Sequence, residues 1–231
     1  MPRSLFVTIA FLALLAQAAH AAELTAALTA ALDAFRADGP PGWSYLQTTT
    51  SSGGEALVER YDAARPSFDR WSLVQKDGRE PTEAETRVYR EGKTRRTAGL
   101  QPPRIQDRLD RTTAERISSG DGIEHWRFRM LPGGADDLAA SAMAVTVAFH
   151  ESTRTIVEVE IASTDAFSPA LGVRIESSRT TMEYSLPADD SPSLPRRISV
   201  RLRGRAFWFR SLDEDLEVTY SEHAPAARRS P

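Results

Sequence analysis

The sequence predicts an α+β fold that is mostly β: one large curved antiparallel sheet forming an incomplete barrel, with an N-terminal helix and one or two short helices packed on or over it. Three observations predict it. From Trp43 onward apolar residues recur at period two in one segment after another. Most of these segments are separated by short turn signals, whereas parallel strands need crossovers of a dozen residues or more. One stretch alone, Leu24 to Phe35, spaces its large apolar residues for a packing helix. The count is nine or ten strands, with no internal repeat and no linker.

The N-terminus fixes the expected compartment. Arg3 is a short positive region, Leu5 to Leu15 is an apolar run, and Ala19-His20-Ala21 is a small-residue cleavage site. Residues 1–21 are thus expected to be a signal peptide, because the run falls short of the ~20 residues that a spanning helix needs. Residues 22–223 then form a single half-barrel domain and 224–231 a flexible tail. The chain has no cysteine, so neither a lipid anchor on an N-terminal cysteine nor a disulfide framework is expected. A mature chain of this size buries roughly 70% of its unfolded surface and can be held by its core alone. A soluble periplasmic protein is expected, with no membrane span after cleavage. The formal net charge is −3, and loss of Arg3 makes it one unit more negative, which disfavours nucleic acid as a partner.

The elements follow in order. Leu24, Leu28, Leu32 and Phe35 form one helical stripe that stops at Gly39-Pro40-Pro41. Segments from Trp43 and Glu55 flank Ser51-Ser52-Gly53-Gly54 as a hairpin, with Val157, Val159 and Ile161 later expected to answer Val145, Val147 and Phe149 across a second one. Trp71 and Leu73 mark a third strand, closed by the turn Asp77-Gly78. Thr82 and Glu85 make a capping box for a helix to about Glu91, ended by Gly92. The polar stretch Thr94 to Asp110 reads as a loop with a helical turn near Ile105, a segment that could lie over an opening as a lid. Strands resume at Ala114, and Glu124, Trp126, Phe128 and Met130 share an inward face. Asp136 or Asp137 caps a short helix. Val173 to Leu186 and Pro195 to Arg210 are long strands, the second bending at Gly204. A final strand begins near Leu216.

The segments Glu59 to Asp62 with Arg70 to Glu85, Ala166 to Glu176, and Arg203 to His223 resemble segments of proteobacterial exported proteins of the LolA and LolB type, the periplasmic lipoprotein carriers. The resemblance spans most of the mature chain and its motifs carry no catalytic meaning. It implies an unclosed barrel with helices as plug or lid, a periplasmic home and an apolar cavity. This chain departs from LolB-like members in having no cysteine to lipidate, and the carriers' cavity-closing arginine is not assigned to a particular arginine here, so no functional residue carries over.

Chemical motifs are missing from the sequence. There is no H-E-x-x-H, G-x-S-x-G, P-loop or dinucleotide fingerprint, so no catalytic residue and no cofactor is assigned. His125, His150 and His223 fall in different elements, and no metal site is assigned. Glu158 and Glu160 share a strand face opposite Val157, Val159 and Ile161, which reads as a solvated outer face.

The candidate ligand-binding residues are Trp71, Trp126, Phe128, Phe149, Arg203, Arg205, Phe207, Trp208 and Phe209. Two readings of the last strand stand. In one, Arg197, Arg201, Arg203 and Arg205 form a mouth for an anionic head group, with Phe207 and Phe209 continuing their face into an apolar interior. In the other, the arginines lie on an outer face paired with acids such as Glu217 and Glu222. The expected function is a non-enzymatic binding protein holding a lipid, acyl chain or lipoprotein. The alternatives are an envelope sensor or protein-interaction module, and an enzyme with a site built from scattered residues.

Overall fold

A computed structural model describes residues 24–97, 104–134, 137, 139–188, 190–207 and 209–226. The expected signal peptide, Asp136, Trp208, residues 98–103 of the expected lid and the end of the expected tail lie outside the described residues. Among those described, the protein is mostly β, with twelve strands in one antiparallel sheet that does not close into a barrel.

Helix α1 (Ala26–Ala34) starts where the Thr25 hydroxyl accepts the Leu28 amide, and it buries Leu28 and Leu32. Strands β1 (Trp43–Ser51), β2 (Ala56–Tyr61) and β3 (Trp71–Lys76) follow as a meander. The Asp77-Gly78 turn has both residues at positive φ, and Asp77 Oδ1 accepts the Ala56 amide, which ties the turn to the start of β2. The Thr82 and Glu85 capping box forms as expected: each side chain accepts the other's amide.

The helix it opens, α2 (Glu83–Thr97), runs past Gly92, where a stop was expected. Gly92 is not at positive φ, and the next residue, Lys93, pairs with Glu59 of the sheet at 2.7 Å, a contact made only if the helix continues, against the ~1 kcal/mol a helical glycine costs. A 3₁₀ turn at Ile105–Arg108 leads directly into β4 (Leu109–Gly120), five residues earlier than the strand expected at Ala114. Strands β5 (Ile123–Met130), β6 (Met143–His150), β7 (Thr155–Ser163), β8 (Phe167–Ala170), β9 (Val173–Tyr184), β10 (Pro195–Ala206), β11 (Arg210–Ser211) and β12 (Glu214–Pro225) complete the chain. Strand β12 runs past His223, where the domain was expected to end, and its Pro225 pairs with Trp43.

Along the sheet the order is β3-β2-β1-β12-β10-β9-β7-β6-β5-β4, with β8 added to β9 and β11 to β10. The inner face of β4 to β7 and β9 receives α1: Leu28 and Leu32 pack with Trp126, Phe128, Val145, Val147 and Val159. In the β6–β7 hairpin, Val147 meets Val159 and Val145 meets Ile161 as expected, but Phe149 meets Ile156 and not Val157. A bulge after Ala148 inserts a residue in β7, so Ile156 turns inward in place of Val157. Glu160 stands on the outer face, where Arg179 donates to it at 2.5 Å.

The expected bend at Gly204 is a register shift between Arg203 and Gly204. The extra residue, Glu176, sits in the facing strand β9, so β10 keeps its alternation. Glycine is required here by contact, since a Cβ would lie 2.6 Å from the Arg174 carbonyl oxygen and 3.1 Å from Ile175 Cδ1. Gly204→Ala is therefore expected to force the two backbones apart and cost about 1–3 kcal/mol. That cost lowers the Tm in a thermal melt by at least 2 °C, whereas Gly120→Ala, at a glycine outside the positive-φ region with open space around it, leaves the Tm nearly unchanged.

Candidate functional site

The expected site residues separate into three places. Trp126, Phe128 and Phe149 are buried under α1 and belong to the core. Trp126 Nε1 donates to Glu124 Oε2 at 3.0 Å and Arg116 donates to Oε1 at 3.0 Å, so the buried carboxylate beside the ring is satisfied. Arg203 and Arg205 lie on the outer face. Arg203 pairs with Asp215 at 2.8 Å, Arg205 Nε donates to Glu176 at 3.0 Å, and Arg197 joins them by pairing with Glu217 at 2.7 Å. This is the outer-face arrangement of paired charges; of the two acids expected, Glu217 takes part, while Glu222 bonds Arg60 instead. Phe207 and Phe209 do not continue a strand face into an interior, because β10 ends at Ala206 and Phe207 turns to φ 49°.

Trp71 lies in a third place, the inner face of β1 to β3. Strand register sets Tyr45 opposite Tyr61 and Tyr61 opposite Trp71, and their rings follow suit at centroid distances of 5.0 and 5.1 Å. Tyr220 meets Tyr45 edge-on at 5.3 Å. Such ring pairs each contribute about 0.5–1.5 kcal/mol beyond area burial. One row further on, Glu59 is only 5% exposed, yet it is fully engaged. Gln47 Nε2 donates to its Oε2 at 3.0 Å, and the Tyr89 hydroxyl and Lys93 Nζ approach its Oε1 at 2.8 and 2.7 Å. Tyr89 and Lys93 are one helical turn apart on α2, and Lys93 Nζ also stands 4.0 Å from the Trp71 ring centroid. Glu59 is thus the clamp that fastens α2 to the sheet.

Beside the α1 core lies a half-open cavity of about 700 Å³. The C-terminal end of α1, the 3₁₀ turn before β4, and strands β5 and β7 enclose it. Phe35, Ile105, Met130 and Ile161 supply apolar walls, and Arg36 and Arg104 stand at its rim. The walls are held in place by backbone anchors: Gln106 Nε2 donates to the Phe35 carbonyl at 2.8 Å, and the Tyr184 hydroxyl donates to the Ala37 carbonyl at 3.0 Å. Arg108 donates to Asp137 Oδ2 and to the Leu131 carbonyl, which fixes the turn at the start of β4. None of the residues expected to bind ligand lines this cavity. The available signal was Phe35 at the end of the helical stripe, a large apolar residue beyond the last turn of α1, and the polar stretch expected to cover an opening.

No family model, no curated protein and no solved structure matches this chain. Among the described residues, no group of three histidine, aspartate or glutamate side chains is placed to hold a metal ion, and no helix is long and apolar enough to cross a membrane. His150, at a hairpin end, contacts the Thr153 hydroxyl at 2.8 Å within its own turn.

Titratable groups of the aromatic face link its burial to pH. Burial, reinforced by Tyr220, Tyr61 and Asp38, pushes the Tyr45 hydroxyl far above its ordinary value, and burial beside Glu59 pushes Tyr220 up to about 12. Burial pulls His223 below its ordinary value. A tyrosine raised in the folded state contributes stability that is complete below about pH 10 and is lost as pH rises toward 12. A histidine lowered in the folded state contributes stability that is complete above about pH 6.5 and is lost as pH falls. Chemical denaturation across pH is expected to show decline on the alkaline side that Tyr220→Phe makes shallower, and His223→Gln is expected to flatten the slope just below pH 6.5. Separately, Glu59→Gln is expected to speed amide exchange of α2 about tenfold or more, corresponding to about 1.4 kcal/mol, while Val88→Ala on its exposed side leaves exchange unchanged.

Proposed function

We propose that this protein is a non-enzymatic, exported binding protein that holds the acyl chain of a lipid or lipoprotein in the cavity beside α1. The observation that carries the reading is the cavity itself. Its volume of about 700 Å³ lies within the range of small-molecule sites, and its apolar walls meet guanidinium groups at the rim. An acyl chain gains from removal of apolar area from water, at about 25 cal/mol per Å². An anionic head group left at the mouth finds Arg36, with Arg104, itself paired to Asp107 at 2.9 Å, and Asp38 beside it. The signal-peptide pattern and the resemblance to LolA- and LolB-type carriers agree with this reading and give it a periplasmic setting.

The test is native mass spectrometry of the protein purified from periplasm without detergent, followed by solvent extraction. A stoichiometric acyl-containing mass is expected. Met130→Glu, which places a carboxylate on the apolar wall, is expected to weaken uptake of a fluorescent fatty acid at least tenfold. Arg36→Glu, at an exposed position, is expected to weaken the anionic probe more than its neutral ester. A homogeneous ligand-free mass together with no probe uptake would overturn the reading and direct attention to a protein partner.

A further inference from the structure

Two hairpin ends that are distant in sequence meet at one corner of the sheet. The turn between β8 and β9 carries Leu171, which is 100% exposed, and the turn between β10 and β11 carries Phe207 and Phe209, 61% and 86% exposed. They are locked together: the Phe207 amide donates to the Gly172 carbonyl at 2.7 Å, and a Cβ on Gly172 would lie 3.1 Å from the Phe207 ring. Phe207 holds φ 49°, a conformation that costs of order 1–3 kcal/mol for a bulky residue. Solvent exposure does not reward that cost. Behind the apolar side chains stand exposed Arg174, Arg205 and Arg210, with Glu176 paired to Arg205.

We propose that this corner docks on an anionic lipid surface, with Leu171, Phe207 and Phe209 entering the interface and the arginines at the level of the phosphates. Three features favour a bilayer over a protein. The apolar residues sit on two turns around an open hollow of about 720 Å³, lined by Leu171 and Phe207 with Arg174 and Arg205, and not on a broad face of the ~800 Å² per partner that a stable protein contact buries. Two backbone amides at the corner are already paired, that of Phe207 with the Gly172 carbonyl and that of Leu212 with the Gly204 carbonyl at 2.9 Å, as an apolar medium favours. The order is that of an interfacial anchor, aromatic and aliphatic side chains outermost and cations just behind, which adds hydrophobic insertion to attraction by anionic lipid. The inference stands apart from the cavity reading, since the corner belongs to different strands from the cavity walls.

The test is flotation with vesicles of phosphatidylglycerol and phosphatidylethanolamine, compared with phosphatidylcholine alone. The chain begins at Ala22, so that Leu5 to Leu15 contributes nothing; every described element lies downstream of that residue. Binding to the anionic vesicles that weakens with salt is expected. Leu171→Ser with Phe209→Ser is expected to reduce it at least tenfold, with an unchanged Tm because both side chains are exposed. Arg174→Gln with Arg210→Gln is expected to remove the preference for anionic vesicles. No binding to either vesicle, or binding that the Leu171 and Phe209 pair of substitutions leaves unchanged, overturns the proposal. Self-association that this pair abolishes, in the absence of vesicle binding, also overturns it and assigns the corner to a second copy of the chain.

Discussion

Strands β3 and β4 follow one another in the chain yet occupy opposite edges of the sheet, and most of the architecture answers to that separation. Among the described residues neither edge strand has a partner that closes the barrel, and the chain between Lys76 and Leu109 links the two edges. The connection is fastened where it can be followed. Glu59 draws α2 down through Tyr89 and Lys93, Gln106 binds the backbone at the end of α1, and Arg108 binds Asp137 and the Leu131 carbonyl. Each anchor is a charged or amide side chain reaching a distant element. An anchor of this kind orders a polar segment that cannot bury enough apolar area to order itself.

The inner face is consequently divided. Helix α1 supplies the missing side of the core for β4 to β7 and β9, where Leu28 and Leu32 are completely enclosed. Strands β1 to β3 instead receive an amphipathic layer, rings below and a carboxylate–ammonium pair above. A buried Glu59 is tolerable only because three donors converge on it, since a lone buried carboxylate costs several kcal/mol. The cavity falls at the end of the α1 core, past the last turn of that helix. Its position follows from the length of α1: the helix ends at Ala34, and Phe35 walls the space beyond it.

The outer face works differently. Its arginines are engaged across strands with Glu176, Glu217, Asp215 and Glu160, all at partly exposed positions. Individually such pairs add about 0–1 kcal/mol, so their contribution is mainly to the register of long strands and to solubility. At one corner this pattern gives way to exposed phenylalanine and leucine. The change in chemistry is local, and it coincides with the strained turn at Phe207.

Much of this fold was legible in the sequence because its signals are short-range. Period-two alternation marked the strands, Asp77-Gly78 the tight turn, Thr82 with Glu85 the start of α2, and Leu28 with Leu32 the buried stripe of α1. Each depends on neighbours within a few residues, and local sterics and hydrogen bonding decide it. The candidate site was much less legible. Trp126, Phe128 and Phe149 have the composition of a ligand box and the environment of a core, and only the docking of α1 distinguishes the two. Gly92 has the chemistry of a helix stop, but Glu59, more than thirty residues away, carries the helix past it. Residues on the last long strand followed the arginine alternation as far as Arg205, then departed from it when the chain turned at Phe207. The sequence by itself determined which residues alternate, turn and cap. Tertiary structure alone decided which face was filled, where the cavity remained and which apolar side chains stayed in solvent, because those outcomes depend on register, bulges and anchors between residues far apart in the chain.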